Sequence, residues 1–182
     1  MVTVVDTQNA CAGVSEASIG EGDVREGEDT EEGCLMATNT RLLRCAPQDV
    51  FDVLADGWLY PSWVVGATRM RDVDARWPDP GAQLHHSVGV WPLVLDDTTR
   101  SLEWEPPRRA VMVARGWPVG EAEVTIRVRT VPGGCVVRID EEPVRGPAKL
   151  IPRFLTTPLL RVRNAETLRR LGYLAEGRRD AE

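Results

Sequence analysis

The chain has 182 residues, 42% of them hydrophobic and 27% charged, the balance of a folded domain with a sizeable core. Its formal net charge of −6 is unevenly placed: residues 1–37 hold nine acidic groups against Arg25 alone, which leaves a net +2 on the rest. A nearly neutral body excludes the basic footprint of a nucleic-acid binder, and no apolar run approaches the roughly 20 residues needed to cross a bilayer.

In chain order, the first distinctive stretch is "SEASIGEGDVREGEDTEEG", rich in Glu, Gly and Asp and nearly free of large apolar residues. Such a segment cannot bury enough surface to offset the entropy of ordering, so residues 1–36 are expected to form a disordered acidic tail. The N-terminus lacks the basic and apolar regions of a secretory signal, which makes the cytoplasm the expected location. Met36 directly precedes the first patterned segment and is a second candidate translation start.

From residue 38 the pattern becomes periodic. "TNTRLLR" reads as a short strand, and "APQDVFDVLAD" places Pro47 in a first helical turn with Val50, Phe51 and Leu54 on one face. "GWLYPSW" follows as a second short helix or turn, which Pro61 is expected to stop. Six strands come next, over 64–76, 83–91, 94–105, 109–117, 121–131 and 135–144, each ended by a proline- or glycine-bearing turn. Connections this short imply an antiparallel meander, and "TVPGGCVV" is a strong hairpin signal because its glycines supply the positive φ of a tight turn. Ala122, Val124, Ile126 and Val128 alternate with Glu123, Thr125, Arg127 and Arg129; Cys135, Val137 and Ile139 alternate with Val136, Arg138 and Asp140. One face of the sheet is therefore expected to be covered and the other solvated.

"TTPLLRVRNAETLRRLGYLAEGRR" closes the pattern as a long helix. Thr157 can cap it with Pro158 in the first turn, or it starts earlier, near Pro147, with Pro152 and Pro158 as kinks. Leu159, Val162, Leu168, Leu171 and Leu174 form its apolar stripe, while Arg161, Arg163, Arg169 and Arg170 read as a solvated face. The folded body is expected to span 37–177, with 178–182 as a C-terminal tail.

The order strand, two short helices, six antiparallel strands and a long helix resembles the SRPBCC (START/Bet v 1-like) superfamily, and within it the polyketide cyclase/dehydrase and lipid-transport branch. The residues carrying the resemblance are "APQDVFDVLADGWLYPSW", "PGAQLHHSVGVWP", "EWEPPRRAVMVAR" and "RNAETLRRL", and it covers about residues 38–176. The resemblance implies an α+β helix-grip fold, in which a curved antiparallel sheet of six to seven strands wraps a long C-terminal helix. It also implies an apolar cavity between the two, entered beneath the short helices and hairpin loops. The expected partner is a hydrophobic small molecule such as a lipid, polyketide, sterol or isoprenoid, with cyclisation or dehydration of a polyketide-like chain as the implied chemistry if the protein is an enzyme. A non-catalytic carrier and a protein-interaction module of the same fold are the alternatives. No catalytic motif is universal to the superfamily, so no residue inherits a role by position.

Both histidines lie in "LHHSVGVWP". Strand alternation places Leu84, His86, Val88 and Val90 on one face and Gln83, His85, Ser87, Gly89 and Trp91 on the other, so at most one histidine looks into a cavity. His86, on the apolar face, is the candidate, unless a bulge at Gly89 inverts the parity beyond it. A pocket-lining imidazole can hydrogen-bond a ligand carbonyl or act as a general base; the competing reading is a hydrogen-bonded structural histidine. Six tryptophans against two Phe and two Tyr is the odd compositional feature, and an indole suits both a cavity wall and a core. The resemblance puts the segment of Trp63 at the pocket entrance.

Tyr60 and Arg115 are expected as polar anchors, and Val88, Trp104, Val124, Ile126 and Leu159 as further lining. Arg115 shares the parity of Val111 and Val113, so it needs a partner such as Glu103 if it is buried; a cross-strand surface pair is the alternative. Cys11, Cys34, Cys45 and Cys135 show no C-x-x-C spacing and sit in unrelated contexts, so neither a metal site nor a disulfide is expected. With no phosphate-cradling loop and no nucleophile–base pair, no cofactor is expected either, and no integral membrane association.

Overall fold

The structure is a computed structural model, and it describes residues 37–90, 92–116, 120–146 and 153–179. The expected acidic tail, Trp91, Trp117, Pro147 and Pro152 lie outside these residues. The elements run β1 (Ala37–Leu43), α1 (Pro47–Ala55), a 3₁₀ turn (Gly57–Leu59), α2 (Tyr60–Trp63), β2 (Ala67–Val73), β3 (Gln83–Val90), β4 (Leu93–Glu105), β5 (Arg109–Gly116), β6 (Gly120–Val131), β7 (Gly134–Arg145) and α3 (Arg153–Arg179). The seven strands form one sheet in the order β1-β7-β6-β5-β4-β3-β2, every neighbouring pair antiparallel. This is the α+β helix-grip arrangement, with β1 closing on β7 and the six later strands forming a meander.

Local chemistry accounts for the helices between β1 and β2. Pro47 occupies the first turn of α1, and the Asp49 carboxylate accepts the Ala46 N–H at 2.7 Å, which satisfies a donor the helix itself cannot. Val50, Phe51, Val53 and Leu54 form its buried face. Asp56 caps the 3₁₀ turn by accepting the Trp58 N–H at 3.1 Å. Pro61 does not stop regular structure as expected; it sits in the first turn of α2, where its missing N–H costs nothing.

The alternation read from the sequence sets the inner face of the sheet. Ile126 and Val128 of β6 meet Ile139 and Val137 of β7, and this layer packs with Leu43, α1 and the Leu168, Leu171 and Ala175 side of α3. A register shift between Ser101 and Glu103 changes parity along β4, so Thr99, Ser101 and Trp104 all belong to the inner side while Glu103 pairs with Val111 on the outer one. Gly172 lets α3 lie close on β1: a Cβ there would stand 2.6 Å from Leu43 Cδ2.

Of the two starts the sequence allows for α3, the later one is excluded: the helix is already formed at Arg153, so Thr157 does not cap it and Pro158 lies within it. Its expected apolar stripe is corrected in part. Leu168 and Leu171 are buried as expected, but Leu159 and Val162 are exposed, at 72% and 71%, and Asn164, Thr167 and Ala175 complete the buried stripe. Polar residues take inner positions because they have partners there. Asn164 donates to the Glu141 carboxylate at 3.0 Å, and the Thr167 hydroxyl accepts the Val65 N–H at 3.3 Å. Cys45 and Cys135 are both buried and free. Burial, then the neighbouring Cys135, pushes the Cys45 thiol up to about 12.

Candidate functional site

Between the sheet and the first half of α3 lies a cavity of about 640 Å³. Its sheet wall comes from His86 and Val88 of β3, Ala114 of β5, Ala122 of β6 and Glu141 and Pro143 of β7. Leu159, Leu160 and Arg163 of α3 face them, and Tyr60 with the 64–67 loop closes one side. The small residues at Ala114 and Ala122 explain why space remains where larger side chains elsewhere fill the core. At one edge Gly120, with φ of 129°, allows β6 to approach the end of β7, since a Cβ there would fall 1.9 Å from the Arg145 carbonyl oxygen.

Two polar groups are built into this mostly apolar wall. The first joins α2, β3 and β4. His86 is only 2% exposed, its ring lies 4.9 Å from that of Tyr60 with 30° between the planes, and its Nε2 is 3.0 Å from the Thr99 hydroxyl. The same hydroxyl is 2.8 Å from the Tyr60 hydroxyl, so Thr99 joins the two rings. His86 Nδ1 is buried without a hydrogen-bond partner. Burial, then the charges of Arg71 and His85, hold the imidazole neutral by lowering its pKa from 6.5 to about 4. Burial likewise raises the Tyr60 phenol to about 12, against the opposing pull of its Thr99 bond.

The second group spans the cavity from β7 to α3. Glu141 is 5% exposed, and its Oε2 accepts from both the Arg163 guanidinium and the Asn164 amide. Arg163 also donates to Asn164 Oδ1, so this arginine is tied inward and is not part of the solvated face expected for it. A buried carboxylate is stable only when paired and hydrogen-bonded in this way.

Of the residues anticipated from sequence, Tyr60, His86, Val88, Arg115 and Leu159 border the cavity. Leu159 is largely exposed and stands at its mouth, as does the exposed Arg115. Glu103 does not partner Arg115; it pairs with Arg109 at 3.0 Å, because the β4 register sets it opposite Val111, two residues from Arg109 but four from Arg115 along β5. Trp63, Val124 and Ile126 belong to the packed core, and Trp104 packs on Phe51 with 5.1 Å between ring centroids. His85 lies across from Thr98, on the face opposite His86, and β3 pairs with β4 without a bulge at Gly89. Sequence reasoning missed Glu141, Arg163, Ala114 and Ala122 as cavity residues. A signal for Glu141 was present, since it continues the inner parity of Cys135, Val137 and Ile139. Among the described residues no three His, Cys, Asp or Glu side chains converge as a metal site, and no helix is long and apolar enough to cross a membrane.

A family model described as polyketide cyclase/dehydrase and lipid transport matches residues 36–173. Protein NE0264 from Nitrosomonas europaea is similar in structure at a TM-score of 0.62 and 17% identity, covering 80% of this chain and 97% of that one. The di-domain ARO/CYC StfQ from the steffimycin biosynthetic pathway gives 0.63 at 13% identity, covering 80% of this chain and 52% of that one. A second di-domain ARO/CYC, BexL from the BE-7585A pathway, gives 0.53 at 15% identity, covering 77% and 48%. At these identities the likeness shows the fold alone. Among curated proteins no sequence matches the chain.

Proposed function

Since the chain belongs to the polyketide cyclase/dehydrase and lipid transport family, we propose that it binds a hydrophobic small molecule of the lipid, polyketide or isoprenoid kind in this cavity, in the cytoplasm. The observation that carries the reading is the cavity itself: about 640 Å³, walled by Val64, Val88, Ala114, Ala122 and Leu160 with few polar groups among them. Small-molecule sites are concave spaces of several hundred Å³ with this apolar majority and a few fixed polar atoms. A protein-interaction module would have no need to keep such a space open.

Within this reading Tyr60, His86, Val88, Arg115 and Leu159 contact the ligand, and Trp63, Trp104, Val124 and Ile126 stiffen the wall behind them. His86 serves better as a hydrogen-bonding group than as a general base, because a base works best with a pKa near the working pH and this one is held at about 4. Binding or carriage is therefore the first reading. Cyclisation of a polyketide-like chain is the second, favoured by the fold shared with two ARO/CYC proteins. In that case the cavity would act by folding the substrate and excluding water.

The test is to fill the space. Ala114→Trp is expected to abolish the fluorescence enhancement of Nile red, a neutral apolar dye, while circular dichroism still reports the folded chain. Undiminished dye binding by a folded Ala114→Trp protein would remove the cavity from the mechanism.

A further inference from the structure

Resting on the cavity reading above, we infer that the ligand presents an uncharged hydrogen-bond acceptor, a carbonyl or ether oxygen, to the Tyr60 hydroxyl and carries no ionised group at its buried end. The first support is a count of hydrogens. Thr99 has one hydroxyl proton and two neighbours, Tyr60 at 2.8 Å and His86 Nε2 at 3.0 Å. If Tyr60 donates to Thr99 and Thr99 to Nε2, the imidazole proton must sit on Nδ1. That nitrogen is buried without a partner. An orphaned buried N–H is among the rarest features of folded proteins, and leaving a donor unpaired costs its full desolvation.

Donation from both rings to Thr99 would instead leave the proton of that fully buried hydroxyl with neither neighbour to accept it. The opposite direction avoids both. Nε2–H donates to Thr99, Thr99 donates to the Tyr60 oxygen, and Nδ1 is left as a bare lone pair. The Tyr60 proton is then released from Thr99. Tyr60 borders the cavity, and Thr99 is the hydrogen-bond partner of its hydroxyl among the described residues, so the acceptor for that proton is the cavity's occupant.

The second support is the state of the charges. Glu141 already binds Arg163 and Asn164, so an incoming carboxylate would meet the like charge of Glu141 as it approached the guanidinium. An incoming ammonium would have to draw Glu141 away from two donors and strand Arg163. The imidazole supplies no cation at neutral pH, being held neutral by burial. Taking an unmatched ionised group into such a wall is costly, whereas a carbonyl oxygen needs one donor, which Tyr60 has.

The experiment uses the full chain and two probes that differ in one group, the fluorescent polyene parinaric acid and its methyl ester, titrated at pH 7.5. The ester is expected to bind about tenfold tighter than the acid, and Tyr60→Phe to weaken the ester about fivefold to tenfold, the effect of one neutral hydrogen bond. Equal binding of the two probes, or tighter binding of the acid, would overturn the inference while leaving cavity binding intact. Ester affinity unchanged in a folded Tyr60→Phe chain would overturn the assignment to that hydroxyl. The acid–ester comparison needs no variant, so it decides the charge class even if Tyr60→Phe does not fold. Binding of neither probe would overturn both this inference and the reading on which it rests.

Discussion

His86 is buried against the Tyr60 ring and bonded through one nitrogen to Thr99, and this environment fixes the sign of its response to acid. Its pKa falls from 6.5 in the unfolded chain to about 4 in the folded one, so between these values the unfolded state binds more protons. The stability associated with the neutral ring is fully present above pH 6.5 and is lost as the pH falls through the window toward 4, on the order of 3 kcal/mol in all. His86→Gln retains an amide that can reach Thr99 and cannot titrate. Urea unfolding at pH 7 and pH 4.5 is expected to show a smaller acid loss for this variant than for the native chain. An equal loss in both would place the acid sensitivity elsewhere.

At the scale of elements, α3 is one helix with two tasks. Its second half packs Leu168, Leu171 and Ala175 into the core, while its first half roofs the cavity and is tied down through Arg163, Asn164 and Glu141. Arg163→Met would leave the Glu141 carboxylate buried with Asn164 as its remaining donor. Breaking a buried pair costs about 3–5 kcal/mol, and the partial exposure of Arg163 argues for the lower end. Arg163→Met combined with Glu141→Leu is expected to regain most of that loss in urea unfolding, because an apolar pair needs no counter-charge. A single variant costing under about 1 kcal/mol would show the pair to be a solvent-screened one. The strands between the helices were legible in sequence because each ends in a turn residue and alternates in period two, as Ala122–Val128 illustrates. The roof was legible only in part. The long helix was read, with Pro158 either at its start or inside it, and it lies inside; Arg163 looks solvated until the Glu141 carboxylate is placed opposite it.

At the scale of the molecule, alternation tells which side chains point inward but not whether they meet. Val124 and Ala122 share a face of β6, yet the first is packed in the core and the second borders open space, a difference of side-chain volume and of where α3 lies above them. The cavity was therefore an implication of family resemblance and not of pattern. A cavity that binds only in the folded state links occupancy to stability. At a ligand concentration of one hundred times Kd the folded chain gains about 2.7 kcal/mol, which for a domain of this size raises Tm by roughly 6–12 °C. Differential scanning calorimetry with the parinaric ester is expected to show a saturable rise of this order, and a Tm indifferent to ester would mean that the folded and unfolded chains bind it alike.

The sheet order has a consequence for synthesis. Ala37 waits for Glu141, and the roof of the cavity, α3, follows β7 in the chain. A nascent polypeptide thus holds β1 unmated until β7 has been made. Loading with ligand has to await α3, and a fragment cut short before α3 would be both unstable and empty.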